Sequence, residues 1–213
     1  RNPGALVGIP TGERSDVWRA VERLTAESGP VDVLVANAGR ALGGRHEVDA
    51  AAVEDVMRVN FLGAVYSLEA VLPSMRARGD GSVVVVSSGM ALLPKLAGSH
   101  TYSASKMALG RYFEGLGREL RLDGIAVTVV YPGFVRTEMT ARHKFLPFVV
   151  EAEDAARIIR RGIERGRRRL VFPRPVFWLG RLAQLVPTSW QVRAQRRIVG
   201  KSGNTGFGRG VEQ

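Results

Sequence analysis

Ser82-Val-Val-Val-Val-Ser-Ser88 is the stretch that decides how this chain is read. Its four valines run without a polar interruption, so neither face is set aside for water. A strand of that kind is buried on both faces, as in a parallel sheet covered by helices. Val31-Asp-Val-Leu-Val-Ala36, Ile125-Ala-Val-Thr-Val-Val-Tyr131 and the short Leu170-Val-Phe172 share its character. Helical spacing fills the gaps between them. Residues 16–28 place Val17, Val21 and Leu24 on one face. Residues 49–78 align Val53, Val56, Met57 and Asn60, with Pro73 expected to kink the helix or open a new turn. Residues 102–122 stop at Asp123-Gly124, and 151–165 stop at Gly166. Strands alternating with helices specify right-handed crossover units and an open α/β sheet. Its ligands are expected beyond the carboxyl ends of the strands.

The 213 residues are 45% hydrophobic, which suits one domain with a sizeable core. The absence of cysteine excludes disulfides and thiolate metal sites. His46, His100 and His143 stand at no ligand spacing, so no metal site is expected. The net charge is +11, and seven arginines fall between Arg157 and Arg169. That run reads as a solvated helix face and loop, or as attraction to an anionic surface. It lacks interleaved aromatic residues and any groove-reading motif, which argues against nucleic acid. Residues 173–213 form a separate basic, apolar-aromatic tail, in which Phe177, Trp178 and Trp190 lie among Pro173, Pro175 and Pro187. The tail reads as packing on the domain or a second copy, as an interfacial membrane contact, or as a lid. No eighteen-residue apolar run marks a transmembrane helix. The expected location is cytoplasmic, with peripheral membrane contact through the tail left open.

The strand ends carry small or polar groups: Asn37-Ala38-Gly39, Ser87-Ser88-Gly89, and Pro132-Gly133-Phe134-Val135-Arg136-Thr137. Then comes Tyr102-Ser-Ala-Ser-Lys106, whose tyrosine and lysine lie one helical turn apart on one face. A free tyrosine, with a pKa of ~10, is a poor base at neutral pH. A nearby ammonium favours the phenolate and is expected to lower that pKa. A tyrosine so tuned can exchange a proton with an alcohol oxygen while hydride moves elsewhere.

These residues, in this order, resemble the short-chain dehydrogenase/reductase family. The matching stretches are Ala36-Asn37-Ala38-Gly39, Asn60 within Val59-Asn60-Phe61-Leu62-Gly63, Ser87-Ser88, Tyr102 to Lys106, and Tyr131-Pro132-Gly133 with Val135 and Thr137. The resemblance implies a Rossmann-like doubly wound parallel sheet over residues 1–172. It implies a hydride transfer between NADP or NAD and a secondary alcohol or ketone. Tyr102 would exchange the proton, Lys106 would tune it and hold the nicotinamide ribose, and Ser88 would orient the substrate oxygen. Asn60 would hold a helix irregularity and a relaying water. Asn37, Ala38 and Gly39 would line the adenosine-ribose side. Pro132, Gly133, Val135 and Thr137 would approach the nicotinamide. A homo-oligomer built through 49–78 and 102–122 is also implied.

Two features depart from the family. Ser88 precedes Tyr102 by fourteen residues, one more than usual; Gly89 holds the nominal position, and Ser87 is the alternative. No Gly-x-x-x-Gly-x-Gly occurs before Asn37, and Leu6-Val7-Gly8-Ile9 resembles the family's third strand. The sheet is therefore expected to be incomplete at its N-terminal side, with an open edge at residues 31–36. The chain is expected to be a fragment that alone binds no dinucleotide tightly. The positive charge leans toward NADP, and Phe134, Met139, Phe145, Leu146 and Phe148 toward an apolar substrate. The competing reading is a degenerate relative without cofactor that serves as a binding or scaffold protein.

Overall fold

Parallel pairing of the valine runs organises the computed structural model, which describes residues 12–41, 49–92, 100–137, 140, 148–175, 177 and 178. Strands β1 (Val33–Ala36), β2 (Gly81–Val86), β3 (Ile125–Pro132) and β4 (Arg169–Phe172) form one sheet in the order β1-β2-β3-β4. All three pairings are parallel. The α-helices that accompany them include α1 (Arg14–Ser28), α2 (Ala50–Met57), α3 (Gly63–Arg78), α4 (His100–Leu120) and α5 (Ala152–Glu164).

Val83 and Val85 join the core that β2 and β3 share with α3 and α4, together with Leu68, Met75, Leu109 and Phe113. Val84 and Val130 point the other way and pack against Ala155 of α5 and Phe172. Both faces of β2 and β3 are thus covered, which is what an uninterrupted valine run requires. β1 differs. Val33 and Val35 are 50% and 54% exposed, and β2 is its sole sheet partner among the described residues. Leu6 to Ile9, read as a strand, lies outside the described residues.

Residues 49–78 form two helices joined by a widened π-type turn, Arg58–Leu62. The interruption falls at Asn60 and not at Pro73, around which α3 continues to Arg78. Pro73 sits on the exposed side. There water can take the carbonyl that the missing N–H leaves unbonded. The widened turn absorbs a residue, so the polar Asn60 points inward between the buried Val56 and Ala64. α4 starts at His100, two residues before the helical stretch read from position 102. Gly124 ends the following short 3-10 turn with a left-handed backbone, and Gly166 turns the chain from α5 toward β4 in the same way.

Candidate active site

The first two turns of α4 lie against the carboxyl ends of β1 and β2, and side chains fix the contact. Ser87 Oγ donates to the backbone carbonyl of Lys106 at 2.7 Å, and Ser103 Oγ donates to that of Met90 at 2.6 Å. Lys106 is only 2% exposed, and its Nζ donates to the carbonyls of Val86 at 3.0 Å and Ala38 at 3.3 Å. An ammonium has three N–H donors, so two are engaged by strand-end carbonyls and one is left for a ligand. Burial lowers the Lys106 pKa to about 8.

Tyr102 is half-buried one turn earlier. Burial raises its phenol above the ordinary value, and a hydrogen bond with the Ser88 hydroxyl works against that rise. This corrects the expectation that Lys106 dominates the tyrosine. Its ammonium is drawn to the strand-end carbonyls and stands 6.0 Å from the Tyr102 ring centre, so desolvation of the phenolate prevails.

The alternative between the two serines has a geometric answer. Ser87 is committed to the α4 backbone, whereas Ser88 reaches Tyr102 and also accepts from Met90 N at 3.1 Å, opening a short 3-10 turn at Gly89–Ala91. Gly89 fills the nominal position because nothing larger fits comfortably. A Cβ there would stand 3.1 Å from the Pro132 carbonyl oxygen, so the ends of β2 and β3 meet through bare backbone.

Asn60 is a clamp. Its Oδ1 accepts from Arg40 N at 2.6 Å, and its Nδ2 donates to Arg40 O and to Ser105 Oγ, both at 2.9 Å. Ser105 Oγ in turn donates to the Tyr102 carbonyl at 2.8 Å. The loop after β1, the widened turn and α4 are thereby joined around one buried amide. That loop passes close over Lys106, since a Cβ on Gly39 would lie 3.1 Å from Nζ.

The structure brings Ala38, Gly39, Asn60, Ser88, Tyr102 and Lys106 into one network, with Pro132 and Gly133 adjoining through Gly89. Three other sequence-read positions stand apart. Asn37 is exposed beyond β1. Val135 bridges to Val150, tying the loop after β3 to the start of α5. Thr137 begins an exposed turn in which its N–H donates to Thr140 Oγ1 at 2.9 Å.

Four residues without a sequence-derived role prove structural. Tyr131 OH donates to Glu114 Oε1 at 2.8 Å, Arg169 pairs with Glu114 at 3.4 Å, and its guanidinium lies 4.9 Å from the Tyr131 ring centre. Any side chain at Gly110 would overlap the Tyr131 hydroxyl. The signal was present in the spacing, because Tyr102, Lys106, Gly110 and Glu114 form one i, i+4 stripe along α4.

Residues 7–144 match the family described as short chain dehydrogenase. The chain belongs to that family. An uncharacterized oxidoreductase of Myxococcus xanthus is 39% identical over 182 residues, covering 84% of this short-chain dehydrogenase chain and 71% of that protein. Retinol dehydrogenase 8 of Bos taurus is 44% identical over 117 residues, covering 54% of the chain and 37% of the relative. Among solved structures, a blue fluorescent protein from a metagenomic library in complex with NADPH superposes with a TM-score of 0.69 and 31% identity. That superposition covers 77% of this chain and 72% of the other. The chain thus spans well under half the length of the retinol dehydrogenase it matches.

Proposed function

We propose that this chain forms the catalytic part of an oxidoreductase that moves hydride between a nicotinamide cofactor and an apolar secondary alcohol or ketone. The convergence of Ser88, Tyr102 and Lys106 at the carboxyl ends of adjacent parallel strands carries the reading. The residues suit the ribose end of a nicotinamide nucleotide. Lys106 has an N–H to offer, the Tyr102 hydroxyl stands one turn away, and Gly39 leaves bare backbone over the ammonium. The cofactor, when bound, supplies or takes the hydride. The NADPH complex of the solved relative and the positive charge of this chain favour NADP.

Tyr102 gives its proton to the carbonyl oxygen in reduction and takes it back in oxidation. Ser88 orients that oxygen and stabilises the charge that builds on it. Lys106, its ammonium anchored by the carbonyls of Val86 and Ala38, offers its remaining N–H to the nicotinamide ribose. Asn60 holds the tyrosine helix to the loop that passes over the lysine. The apolar character of the substrate rests on three points. Phe177 reaches a crevice floored by Gly89 and Gly133. Phe148 stands exposed in a left-handed conformation, and the retinol dehydrogenase is a relative. A pure scaffold would have no use for an ammonium buried against its preference, and this disfavours the cofactor-free alternative. Residues 1–172 act as the dehydrogenase domain and 173–213 as an appended tail, within a homo-oligomer.

The test is oxidation of NADPH and NADH by the complete gene product with ketones of increasing apolarity. Tyr102→Phe lowers turnover by about 10²- to 10⁴-fold, the span of general acid–base catalysis, while cofactor binding persists. Wild-type turnover in that variant sinks the assignment.

A further inference from the structure

α5 presents two unlike faces. Ala155, Ile159, Gly162 and Ile163 turn inward at helical spacing, and Gly162 brings the helix so close to β4 that any side chain there would overlap Leu170. Arg157, Arg161 and Arg165 form the outward i, i+4, i+8 stripe, and Arg167 and Arg168 extend it through the turn at Gly166. All five are exposed. Arg157 pairs with Asp154, whereas no carboxylate among the described residues pairs with Arg161, Arg165, Arg167 or Arg168.

The backbone beneath the end of this basic surface is anchored, which a merely solvated run of arginines need not be. Arg167 N donates to Gly162 O at 3.0 Å. The Arg167 carbonyl accepts from Thr128 Oγ1 at 2.8 Å, and that of Arg168 accepts from Val129 N at 2.9 Å. The turn is therefore stitched to β3 on the backbone side while its guanidinium groups stay free in water. Ile158, itself partly exposed, stands among them. A fixed cationic face with an apolar residue in it complements an anionic lipid surface, where each nearby basic side chain contributes attraction and a partly exposed apolar group can enter the interface.

We propose that the outer face of α5 and the turn at Arg165 to Arg168 dock this protein on an anionic bilayer. The proposal gains purpose from the apolar substrate proposed above, which would partition into that bilayer, but the docking itself does not depend on it. Nucleic acid is the other polyanion such a face could meet. It is disfavoured because no aromatic residue stands within the cluster to stack a base.

The experiment is sedimentation of the complete gene product with phosphatidylcholine vesicles, with and without phosphatidylglycerol, at low and high salt. We expect binding only to the anionic vesicles and its release at high salt. The variant Arg161→Gln/Arg165→Gln/Arg168→Gln should bind on the order of a hundredfold more weakly, at about fivefold per basic residue. A second variant with equal charge loss elsewhere, Arg23→Gln/Arg118→Gln/Arg121→Gln, should bind as the wild type does. Both should keep the parental rate on a water-soluble ketone, a readout that fails separately if the hydride-transfer reading is wrong. Three results overturn the proposal: equal binding to neutral vesicles, equal weakening in both variants, or binding of an RNA oligonucleotide in place of vesicles.

Discussion

The Tyr131 hydroxyl donates to Glu114 at 2.8 Å through the gap that Gly110 leaves in α4. The pair joins β3 to the helix that carries Tyr102 and Lys106, and Arg169 of β4 closes it from the other side. Burial and the carboxylate push the Tyr131 phenol far above its ordinary range, so it stays a donor at any working pH. Tyr131→Phe should cost about 1.5–3 kcal/mol, the worth of a hydrogen bond to a charged group. Gly110→Ala forces an overlap and should cost about 1–3 kcal/mol. Because the overlap is with the hydroxyl itself, the double variant should be more stable than the sum of the two losses predicts. Chemical denaturation of the four proteins measures this coupling, and strict additivity contradicts it.

Lys106 has a folded-state pKa near 8 against an ordinary value of 10.5. The unfolded chain holds that proton more tightly between these values, so stability rises as pH climbs through the window. A shift of this size corresponds to on the order of 3 kcal/mol from the lysine alone. Lys106→Met should lack the rise. Comparing the pH dependence of unfolding free energy in the two proteins isolates the effect from other groups. Parallel curves would mean that the ammonium is not desolvated.

Tyr102, held above its ordinary pKa by burial, is protonated at neutral pH. Carbonyl reduction should therefore be flat across neutral pH and fall only on the alkaline side. Alcohol oxidation, which needs the phenolate, should rise with pH. Ser88→Ala removes the hydrogen bond that favours the phenolate, so the oxidation profile should move to higher pH while its maximum drops by about 10²- to 10³-fold. Initial rates in both directions across pH decide the matter.

Phe148 is 53% exposed and has a φ of 56°. A left-handed backbone costs a non-glycine residue roughly 1–2 kcal/mol, and the exposed ring recovers little by packing. The residue lies two positions before Val150, which ties to Val135 in the loop after β3. Phe148→Ala should raise KM for bulky apolar ketones several-fold and leave a small ketone unchanged. Equal effects on both would remove Phe148 from the substrate's path.

The location of Asn60 tests the clamp reading. Asn60→Ala breaks one acceptor and two donor contacts at a buried position. Each orphaned partner adds about 1–3 kcal/mol of desolvation, and Asn60→Asp, which keeps the acceptor for Arg40 N but loses both donors, should restore only part of the loss. Thermal melting of the two variants compares them directly.

The sequence by itself determined the sheet and the shared helical face of Tyr102 and Lys106. Four uninterrupted valines at 83–86 demand cover on both faces, and Val83 with Val84 shows that cover falling on opposite sides. Tyr102 and Lys106 had to share a helical face because four residues make nearly one turn. Tertiary structure decided what spacing cannot express. Which serine faces the tyrosine depended on the Ser87 hydroxyl finding the α4 backbone, a contact across nineteen residues. That the tyrosine pKa rises depended on its burial, while the lysine ammonium turns to the carbonyls of Val86 in β2 and Ala38 in the loop after β1. Local periodicity records which residues share a face. Desolvation and hydrogen-bond competition are set by neighbours distant in sequence, and these appear only when the strands are side by side.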